Sequence, residues 1–445
     1  MNRRTVLRRL SGTTATAGLV PAALAAAACE TPQAKPKEAG VGEVTFLDWE
    51  SSLEGLPTET VLKNFQAKYT HVKLTFDTLG QNYEEKMRTL LAAGTPYDVH
   101  RVNDDYVRGN GTKGLMTDLM PYIKRDKIKR EELWEFIYDF PIHEGKYWAW
   151  STGDQPRVLY VNTTLFQNKG VQAPLFDRWD PPGWTWDDMV AAATKLTDLA
   201  NAERPTFGVN IYEDTGYEQT FLVNFGVDEG IYSKDGKRFM MATPKGIEAI
   251  QAAIDLHCRL KIQRPFNHRE GGTGVGGSAL FRQGRLGMHY GTMTAMREFR
   301  RDIRDFDWDI APVPKKDKRV TEGSLICYCV PKDANNPDAA WQVLTHMSSE
   351  ESGKVFAETQ YYVPVMKAPA RLLQAKPGEK PERIKLFVES LTQYNTLPNF
   401  TNNTERARQI YRPELNAKAY VCTESAKTTL EGIKKQVEDA LIGAY

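Results

Sequence analysis

Strand-like and helix-like stretches alternate after residue 43, and this order limits the possible folds more than any other feature. Residues 44–47 and 72–76 are β-prone, and residues 58–69 between them have apolar side chains at helical spacing. A second helix is expected over residues 83–93 and a third strand over residues 97–102. Strands that alternate with helices predict an α/β fold, with mostly parallel sheets flanked by helices.

Length and composition are those of an ordinary globular chain. The 445 residues allow two or three domains of roughly 150 residues each. Lysine and arginine (58) almost balance aspartate and glutamate (57), so no strong field favours a nucleic acid as partner. No apolar run after residue 30 approaches the ~20 residues that span a bilayer, so contact with a membrane is expected only through an anchor.

Residues 1–28 have the three-part layout of an export signal. A basic start with Arg3 and Arg4 precedes a small, weakly apolar stretch and then Cys29. The paired arginines resemble a twin-arginine signal, and the alanines before Cys29 resemble a lipoprotein cleavage site. We expect lipidation at Cys29, a flexible spacer over residues 29–42, and a protein at the outer face of the cytoplasmic membrane or in the periplasm. Simple cleavage near Ala28 with release is the alternative.

The chain has four further cysteines. Cys258, Cys327, Cys329 and Cys422 allow three disulfide connectivities, among which the sequence does not choose. Cys327 and Cys329 stand two residues apart in a run that is typical of a buried strand. Both thiols are therefore expected on one face of that strand.

Signatures of catalysis and of metal binding are weak. The glycine-rich run 272–277 matches the spacing of a dinucleotide-binding loop, but loop-like residues rather than a strand precede it. Asp305, Asp307 and Asp309 have the alternate spacing of a calcium loop, but Ile310 stands where a glycine is required. We therefore predict no cofactor, no metal and no catalytic residue, and interpret the chain as a binding protein. An exported glycoside hydrolase, with two carboxylates facing one cleft, is the alternative from another class.

Several segments occur in the order found in one known family. They read VTFLDWE at residues 44–50, GTPYDV at 94–99, TWDD at 185–188 and FRQGRLGM at 281–288. In these segments the chain resembles the extracellular solute-binding proteins of bacterial ABC importers, family 1, in particular the sugar-binding group that includes maltose-binding protein. The resemblance covers nearly all of residues 43–441.

The resemblance implies a two-lobed periplasmic-binding-protein type II fold, a Venus flytrap whose lobes are joined by crossing strands. The N-terminal lobe is expected to comprise residues 43–151 and 311–362, and the C-terminal lobe residues 152–310 and 363–445. It also implies that a carbohydrate binds in the cleft between the lobes. A monomer would then deliver this ligand to the permease subunits of an importer in the membrane.

A sugar presents apolar faces and a rim of hydroxyls, so aromatic side chains together with carboxylates and amides suit it. On the positions that match the family's segments, the resemblance implies ligand contacts from loops at strand ends and near the crossing strands. These residues are Trp49, Glu50, Asn103, Asp104, Asp105, Tyr106, Asp154, Gln155, Tyr217, Glu218, Gly291, Thr292, Met293, Ser324 and Tyr361. Each also has a structural interpretation, since the aromatic residues can belong to the core and acidic loop residues are usually solvated.

The identity of the ligand stays open at this stage. Met293 stands where related proteins commonly have an aromatic residue, and methionine is apolar but is not a flat plate for stacking. A phosphorylated polyol such as glycerol phosphate is the alternative ligand. It would require arginines in the cleft, for which Arg157 and Arg297 are the candidates.

Overall fold

The computed structural model describes residues 40–92, 94, 97–211, 218–266 and 276–444. The strands, in chain order, are β1 (Gly42–Asp48), β2 (Val72–Thr78), β3 (Val99–Val102), β4 (Ile142–His143), β5 (Lys146–Tyr147), β6 (Trp150–Asp154), β7 (Arg157–Asn162), β8 (Phe207–Asn210), β9 (Leu286–Thr292), β10 (Trp308–Ala311), β11 (Thr321–Glu322), β12 (Leu325–Cys329), β13 (Val363–Pro364) and β14 (Asn395–Thr396). The α-helices are α1 (Pro57–Lys68), α2 (Tyr83–Ala92), α3 (Asp104–Thr112), α4 (Met120–Arg125), α5 (Glu135–Asp139), α6 (Thr163–Asn168), α7 (Trp186–Leu196), α8 (Glu218–Asn224), α9 (Pro244–Cys258), α10 (Gly277–Arg282), α11 (Met293–Asp302), α12 (Pro337–Met347), α13 (Glu350–Glu358), α14 (Lys367–Ala370), α15 (Leu386–Gln393), α16 (Thr404–Glu414) and α17 (Ala426–Leu441).

Some sequence-based predictions fall on residues that the structure does not describe. They concern the export signal, the lipidation site Cys29, most of the spacer, Tyr217 and most of the glycine-rich run 272–277. Among the described residues, no helix combines the length and the apolar character that a bilayer crossing requires.

Two larger sheets organise the fold. The first has the strand order β13-β6-β12-β3-β1-β2, and the second has the order β10-β7-β9-β8. β1 pairs in parallel with β2 and β3, whereas β12 lies antiparallel between β3 and β6. In the second sheet, β8 and β9 are parallel and β7 is antiparallel to β9 and β10. The α/β fold class is confirmed, and the chain returns to the first sheet through β12 after it has formed the second.

Local sequence signals fix several helix starts. Thr185 caps α7, because its Oγ1 accepts a hydrogen bond from the backbone N–H of Asp188 at 3.2 Å. The carboxylate of Asp188 accepts the backbone N–H of Thr185 at 2.9 Å, which completes the predicted capping box. Asn336 caps α12 in the same way, and Pro337 occupies its first turn, where a missing N–H costs nothing.

The structure resolves the cysteine pairing that the sequence left open. Cys258, at the end of α9, forms a disulfide with Cys422, which precedes α17. Cys327 and Cys329 are free thiols buried in β12, as their spacing predicted. The disulfide therefore ties the C-terminal helices to α9, and the other two cysteines belong to the core.

α7 packs closely against β8, the edge strand of the second sheet. Gly208 in β8 packs so tightly on α7 that a Cβ there would collide with the backbone carbonyl oxygen of Ala193. Because the obstacle is backbone rather than a flexible side chain, it cannot move without displacing the helix. This site therefore requires glycine.

We expect Gly208→Ala to lower the free energy of unfolding by about 1–3 kcal/mol, because overpacking forces backbone shifts. Chemical denaturation of the purified variant measures this change. Gly432→Ala in α17 is the matched control, since a Cβ there meets no atom within 4 Å. The control is expected to gain about 0.5–1 kcal/mol from its better helix propensity. Equal effects of the two substitutions would contradict this account of the α7–β8 contact.

Candidate functional site

Two of the predicted ligand loops begin at the carboxyl ends of neighbouring strands. Trp49 and Glu50 follow β1, and Asn103 follows β3, which is parallel to β1. In open α/β sheets, ligands bind in the crevice outside the carboxyl ends of the strands. The first sheet therefore presents both loops at the edge where a ligand site is expected.

A cavity of about 170 Å³ lies beside the loop that follows β3. Its walls come from the start of α3, the start of β7, the residues around the link from β11 to β12, and one face of α16. The lining residues are Asn103, Asp104, Asp105, Arg157, Ile231, Tyr232, Glu322, Gly323, Ser324, Leu397, Pro398, Phe400, Arg408, Tyr411 and Arg412. Segments that are far apart in the sequence thus meet at one concave, largely polar space.

The start of α3 supplies acidic groups to this cavity. Asn103 caps the helix, because its Oδ1 accepts a hydrogen bond from the backbone N–H of Asp105 at 3.1 Å. Asp104 and Asp105 occupy the first turn, where the helix dipole favours negative charge. The carboxylate of Asp104 also accepts the backbone N–H of Leu325 at 3.0 Å, so it joins α3 to β12.

Asp154 and Gln155 hold the segment that leads into β12. Oδ1 of Asp154 accepts the backbone N–H of Ser324 at 2.6 Å, and its Oδ2 accepts a hydrogen bond from the side-chain amide of Asn395. The backbone N–H of Gln155 donates to the carbonyl oxygen of Ser324 at 3.1 Å. Glycine fits at position 323, because a Cβ on Gly323 would lie 2.7 Å from Oδ2 of Asp154. Asp154 is fully buried and does not line the cavity.

Three arginines border the cavity. Arg157, at the start of β7, donates to the carbonyl oxygen of Gly323 at 2.9 Å. Arg408 forms an ion pair with Asp105, which connects α16 to α3. Arg412 lies one turn further along α16. Positive and negative groups therefore both reach this space from elements of different parts of the chain.

Burial sets the electrostatics of the carboxyl groups here. It raises the pKa of Asp104 to about 7, with a further contribution from the negative charge of Asp105. It raises the pKa of Glu322 to about 8, although the charge of Arg157 acts in the opposite sense. Burial also raises the pKa of Asp154 to about 6. Near neutral pH the carboxyls of Asp104 and Glu322, which line the cavity, are partly protonated, so they can donate as well as accept hydrogen bonds.

A second group of predicted residues lies at the carboxyl end of β1. The guanidinium of Arg101 covers one face of the Trp49 ring, 4.0 Å from its centroid. The hydroxyl of Tyr361 donates to Oε1 of Glu50 at 3.4 Å, and Arg297 lies 4.3 Å from the centroid of the Tyr361 ring. None of these residues lines the cavity described above. The structure therefore brings the predicted residues together as two groups rather than one.

Tyr106, Glu218 and Met293 do not line the cavity. Tyr106 is partly buried, with its ring 5.7 Å from the Arg408 guanidinium. Glu218 is fully buried and accepts a hydrogen bond from the hydroxyl of Tyr420 at 3.2 Å. Met293 begins α11 with its side chain in the core, directly after Gly291 and Thr292 end β9. Ser324 does line the cavity, together with Asn103, Asp104 and Asp105.

The sequence pattern did not indicate the contribution of α16. This helix provides Arg408, Tyr411 and Arg412, and the loop before it provides Phe400. Arg408 stands 303 positions from its partner Asp105, so no local spacing relates the two. The basic and aromatic residues of α16 are, in sequence, those of an ordinary surface helix. Ala407, Arg408 and Tyr411 are buried whereas Arg406 and Gln409 are exposed, so the sequence of α16 is that of an amphipathic helix and gives no signal of a site.

The arrangement suits binding of a small polar molecule. The rings of Tyr232, Phe400 and Tyr411 form an almost completely buried part of the wall, while amide, hydroxyl, carboxyl and guanidinium groups offer directional hydrogen bonds. Apart from this space, one cluster in the described part of the chain has metal-ligating atom types, namely His257 with the two disulfide-bonded cysteines. Because both of those sulfurs are engaged in the disulfide, they are not thiolate ligands.

Several solved structures share the fold of this chain. An ABC substrate-binding protein of Listeria monocytogenes, in complex with cycloalternan, superposes with a TM-score of 0.78 at 23% identity, over 91% of this chain and 99% of that one. A solute-binding protein of Thermotoga lettingae bound with α-D-tagatose gives 0.74 at 16% identity, over 90% and 100%. The GacH receptor of Streptomyces glaucescens, a structure solved unliganded and with acarbose, gives 0.72 at 15% identity, over 90% and 99%. The two-lobed fold predicted from the sequence is thereby confirmed.

Sequence comparison identifies the family. A binding protein of Brucella abortus (strain 2308) is 23% identical over 356 residues, which cover 76% of this chain and 79% of that protein. The family described as bacterial extracellular solute-binding protein matches residues 50–354. This match covers more than half of the chain, and it includes the strands and helices that border the cavity up to β12. The chain therefore belongs to the bacterial extracellular solute-binding protein family.

Proposed function

We propose that the protein binds a carbohydrate in the cavity and delivers it, unaltered, to the permease subunits of an ABC importer. The observation that carries this proposal is the convergence of amide, hydroxyl, carboxyl and guanidinium groups on one space that has aromatic rings in its wall. Aromatic rings suit the apolar faces of a sugar ring, and the polar groups suit its hydroxyls. Relatives of the same fold bind cycloalternan, α-D-tagatose and acarbose, which supports the ligand class.

The size of the cavity supports a short ligand. Its volume of about 170 Å³ is smaller than the roughly 300–1,000 Å³ of pockets for drug-sized ligands. We propose contacts from Asn103, Asp104, Asp105 and Ser324, which the sequence analysis named, and from Glu322. The Trp49 group at the end of β1 would contact a longer ligand that extends beyond the cavity.

We further propose a closing motion of the two lobes, with the boundaries expected from the sequence. Contacts of α3, and of Phe140 directly after α5, with residues 400–408 support this proposal. Asp105 pairs with Arg408, Thr112 donates a hydrogen bond to Asn402, and the Phe140 ring lies 6.1 Å from Phe400. A ligand that touches both sides favours the closed state by the difference in its contacts with the two states. The permease would then recognise the closed form.

The location of the protein follows from the same function. We propose that residues 1–28 direct export, that Cys29 carries a lipid, and that the monomeric body works at the outer face of the cytoplasmic membrane. A lipid chain contributes about 0.8 kcal/mol per buried methylene, so an anchor with more than one chain holds a soluble body at a membrane. This arrangement would keep the binding protein close to its permease.

A screen of mono- and oligosaccharides tests the central proposal. We expect a bound sugar to raise the free energy of unfolding by about 2.7 kcal/mol at a concentration of 100 Kd. Solution scattering should record a smaller radius of gyration with the same sugar. Chromatography of the recovered ligand should find it intact. Cleavage of an oligosaccharide would instead support the glycoside hydrolase alternative, and the absence of any sugar hit would contradict the proposal.

We expect Glu322 to contact the ligand and, because its carboxyl is buried, to lower the free energy of unfolding when it is ionised. Because the pKa of this carboxyl is raised to about 8 from 4.5, the folded protein holds a proton that the unfolded chain loses. The contribution of Glu322 to stability is therefore greatest below pH 4.5 and is lost as the pH rises through about 8.

We expect Glu322→Gln to flatten this pH dependence and to raise the free energy of unfolding at pH 8 by about 1–3 kcal/mol. Above pH 8, where the Glu322 carboxylate is a charged acceptor, the same variant should bind the sugar roughly tenfold more weakly. Denaturation and calorimetric titration measure the two effects. Glu431→Gln, on the exposed side of α17, is the control and should change neither quantity. Unchanged affinity in Glu322→Gln would remove this residue from the proposed site.

Cys29→Ser is expected to abolish incorporation of a labelled fatty acid and to move the protein from the membrane to the soluble fraction. Labelling in the producing bacterium, followed by fractionation, measures both. Cys327→Ser is the control, because that thiol is buried in β12 and should leave labelling intact. If the Cys29→Ser protein were still labelled, the anchor would lie elsewhere.

A further inference from the structure

Arg412 directs a positive charge to the cavity and has no ion pair among the described residues. It stands on the same face of α16 as Arg408, and its Nε is buried there without a hydrogen-bond partner. Burial acts to lower the pKa of Arg412, but Tyr411 and the charges of Glu218 and Asp105 raise it overall. The guanidinium is therefore charged, partly desolvated and incompletely bonded.

The carboxyl groups near Arg412 are bonded to other partners within the part of the chain that the structure describes. The pairs are Asp105 with Arg408, Glu218 with the hydroxyl of Tyr420 at 3.2 Å, Asp104 with the backbone N–H of Leu325 at 3.0 Å, and Glu322 with the hydroxyl of Thr220 at 3.5 Å. The charges of Glu218 and Asp105 act on Arg412, but within the described residues no ion pair joins either carboxylate to its guanidinium. A negative partner for its guanidinium would therefore have to come from outside this set.

The charge balance of the cavity points in the same direction. Arg157, Arg408 and Arg412 stay protonated at any physiological pH. Asp104 and Glu322 are partly neutral near pH 7, since burial raises their pKa values to about 7 and about 8. Among the charged residues that line the cavity, three guanidinium groups therefore face three carboxyl groups, of which Asp104 and Glu322 are partly neutral, and this balance favours an anionic over a cationic ligand.

Guanidinium chemistry identifies the kind of anion. The planar fork of an arginine matches a carboxylate or a phosphate with two parallel hydrogen bonds, and such bonds are stronger than those to a neutral hydroxyl. Arg412 is half-buried and its Nε has no hydrogen-bond partner, which costs free energy that a ligand anion would recover on binding.

We propose that the ligand is an acidic carbohydrate, a sugar whose single carboxylate or phosphate pairs with Arg412. This inference rests on the proposed function and narrows it from carbohydrates in general to those that carry one acidic group. The sugar ring lies against Tyr232, Phe400 and Tyr411, and the anionic group faces α16. Neutral sugars fit the same space but leave Arg412 without its partner.

Calorimetric titration of the full-length mature protein with matched sugars tests this inference. The probes are glucuronate, its uncharged methyl ester, glucose and glucose 6-phosphate, with galacturonate and galactose as a second series. We expect each acidic sugar to bind about 10- to 100-fold more tightly than its neutral counterpart. The neutral sugar has no anionic group and cannot form the charge-assisted bidentate pair with Arg412. A stronger response to the uronates identifies a carboxylate as the natural group, and a stronger response to the sugar phosphate identifies a phosphate.

Variants of α16 assign the effect to one side chain. Arg412→Gln should reduce the preference for the acidic member of each pair to less than about threefold, and Arg412→Lys should restore part of it because charge without the fork gives a weaker pair. Arg406→Gln, an exposed arginine on the same helix, is the matched control and should leave the preference unchanged. Thermal unfolding of each variant checks that it is folded.

The outcomes separate the inference from the proposed function. Neutral sugars that bind as tightly as acidic ones, or a preference that survives Arg412→Gln in a folded protein, would overturn the inference and leave carbohydrate binding intact. Failure of every sugar in the series to bind, while the protein is folded, would count against both. Acidic sugars that bind selectively through Arg412 support both.

Discussion

Two buried carboxylates bind the backbone of the segment that leads into β12, and the shape of the cavity depends on these bonds. Asp154, at the end of β6, accepts the N–H of Ser324, and Asp104, after β3, accepts the N–H of Leu325. Arg157 binds the same segment from the second sheet through the carbonyl oxygen of Gly323. Buried carboxylates are costly without such partners, so the three contacts are expected to act as a unit. They fix the wall where the two sheets meet.

The cavity brings several charged groups together at one side of a large apolar core. Aliphatic and aromatic side chains fill both sheets and the helices on them, while carboxyl and guanidinium groups gather between α3 and α16. Burial that raises carboxyl pKa values lowers stability near neutral pH. Titratable groups with strongly shifted pKa values that face a concave space are typical of functional sites, and they often reduce stability. The polar lining and the family of the chain therefore agree on a binding role.

Local signals predicted much of the fold and part of the site. The capping box at Thr185 and Asp188 depends on neighbouring residues, so the sequence alone revealed where α7 begins. Asn103, Asp104 and Asp105 were predicted from the resemblance to the family, whose matching segment covers this loop. Arg408 and Arg412 were missed, since they reach the cavity through packing of α16 against distant elements. The disulfide between Cys258 and Cys422 escaped prediction for the same reason.

The sequence by itself determined the α/β class, the strands and helices near the N-terminus, and the family resemblance. These features depend on the periodicity of apolar residues and on short motifs, which act over a few positions along the chain. Only the tertiary structure decided which charged groups meet. Asp105 and Arg408 stand 303 positions apart and are brought together by the approach of α16 to α3, not by spacing. Electrostatic interactions depend on distance in space and on burial, and the order of residues along the chain determines neither directly.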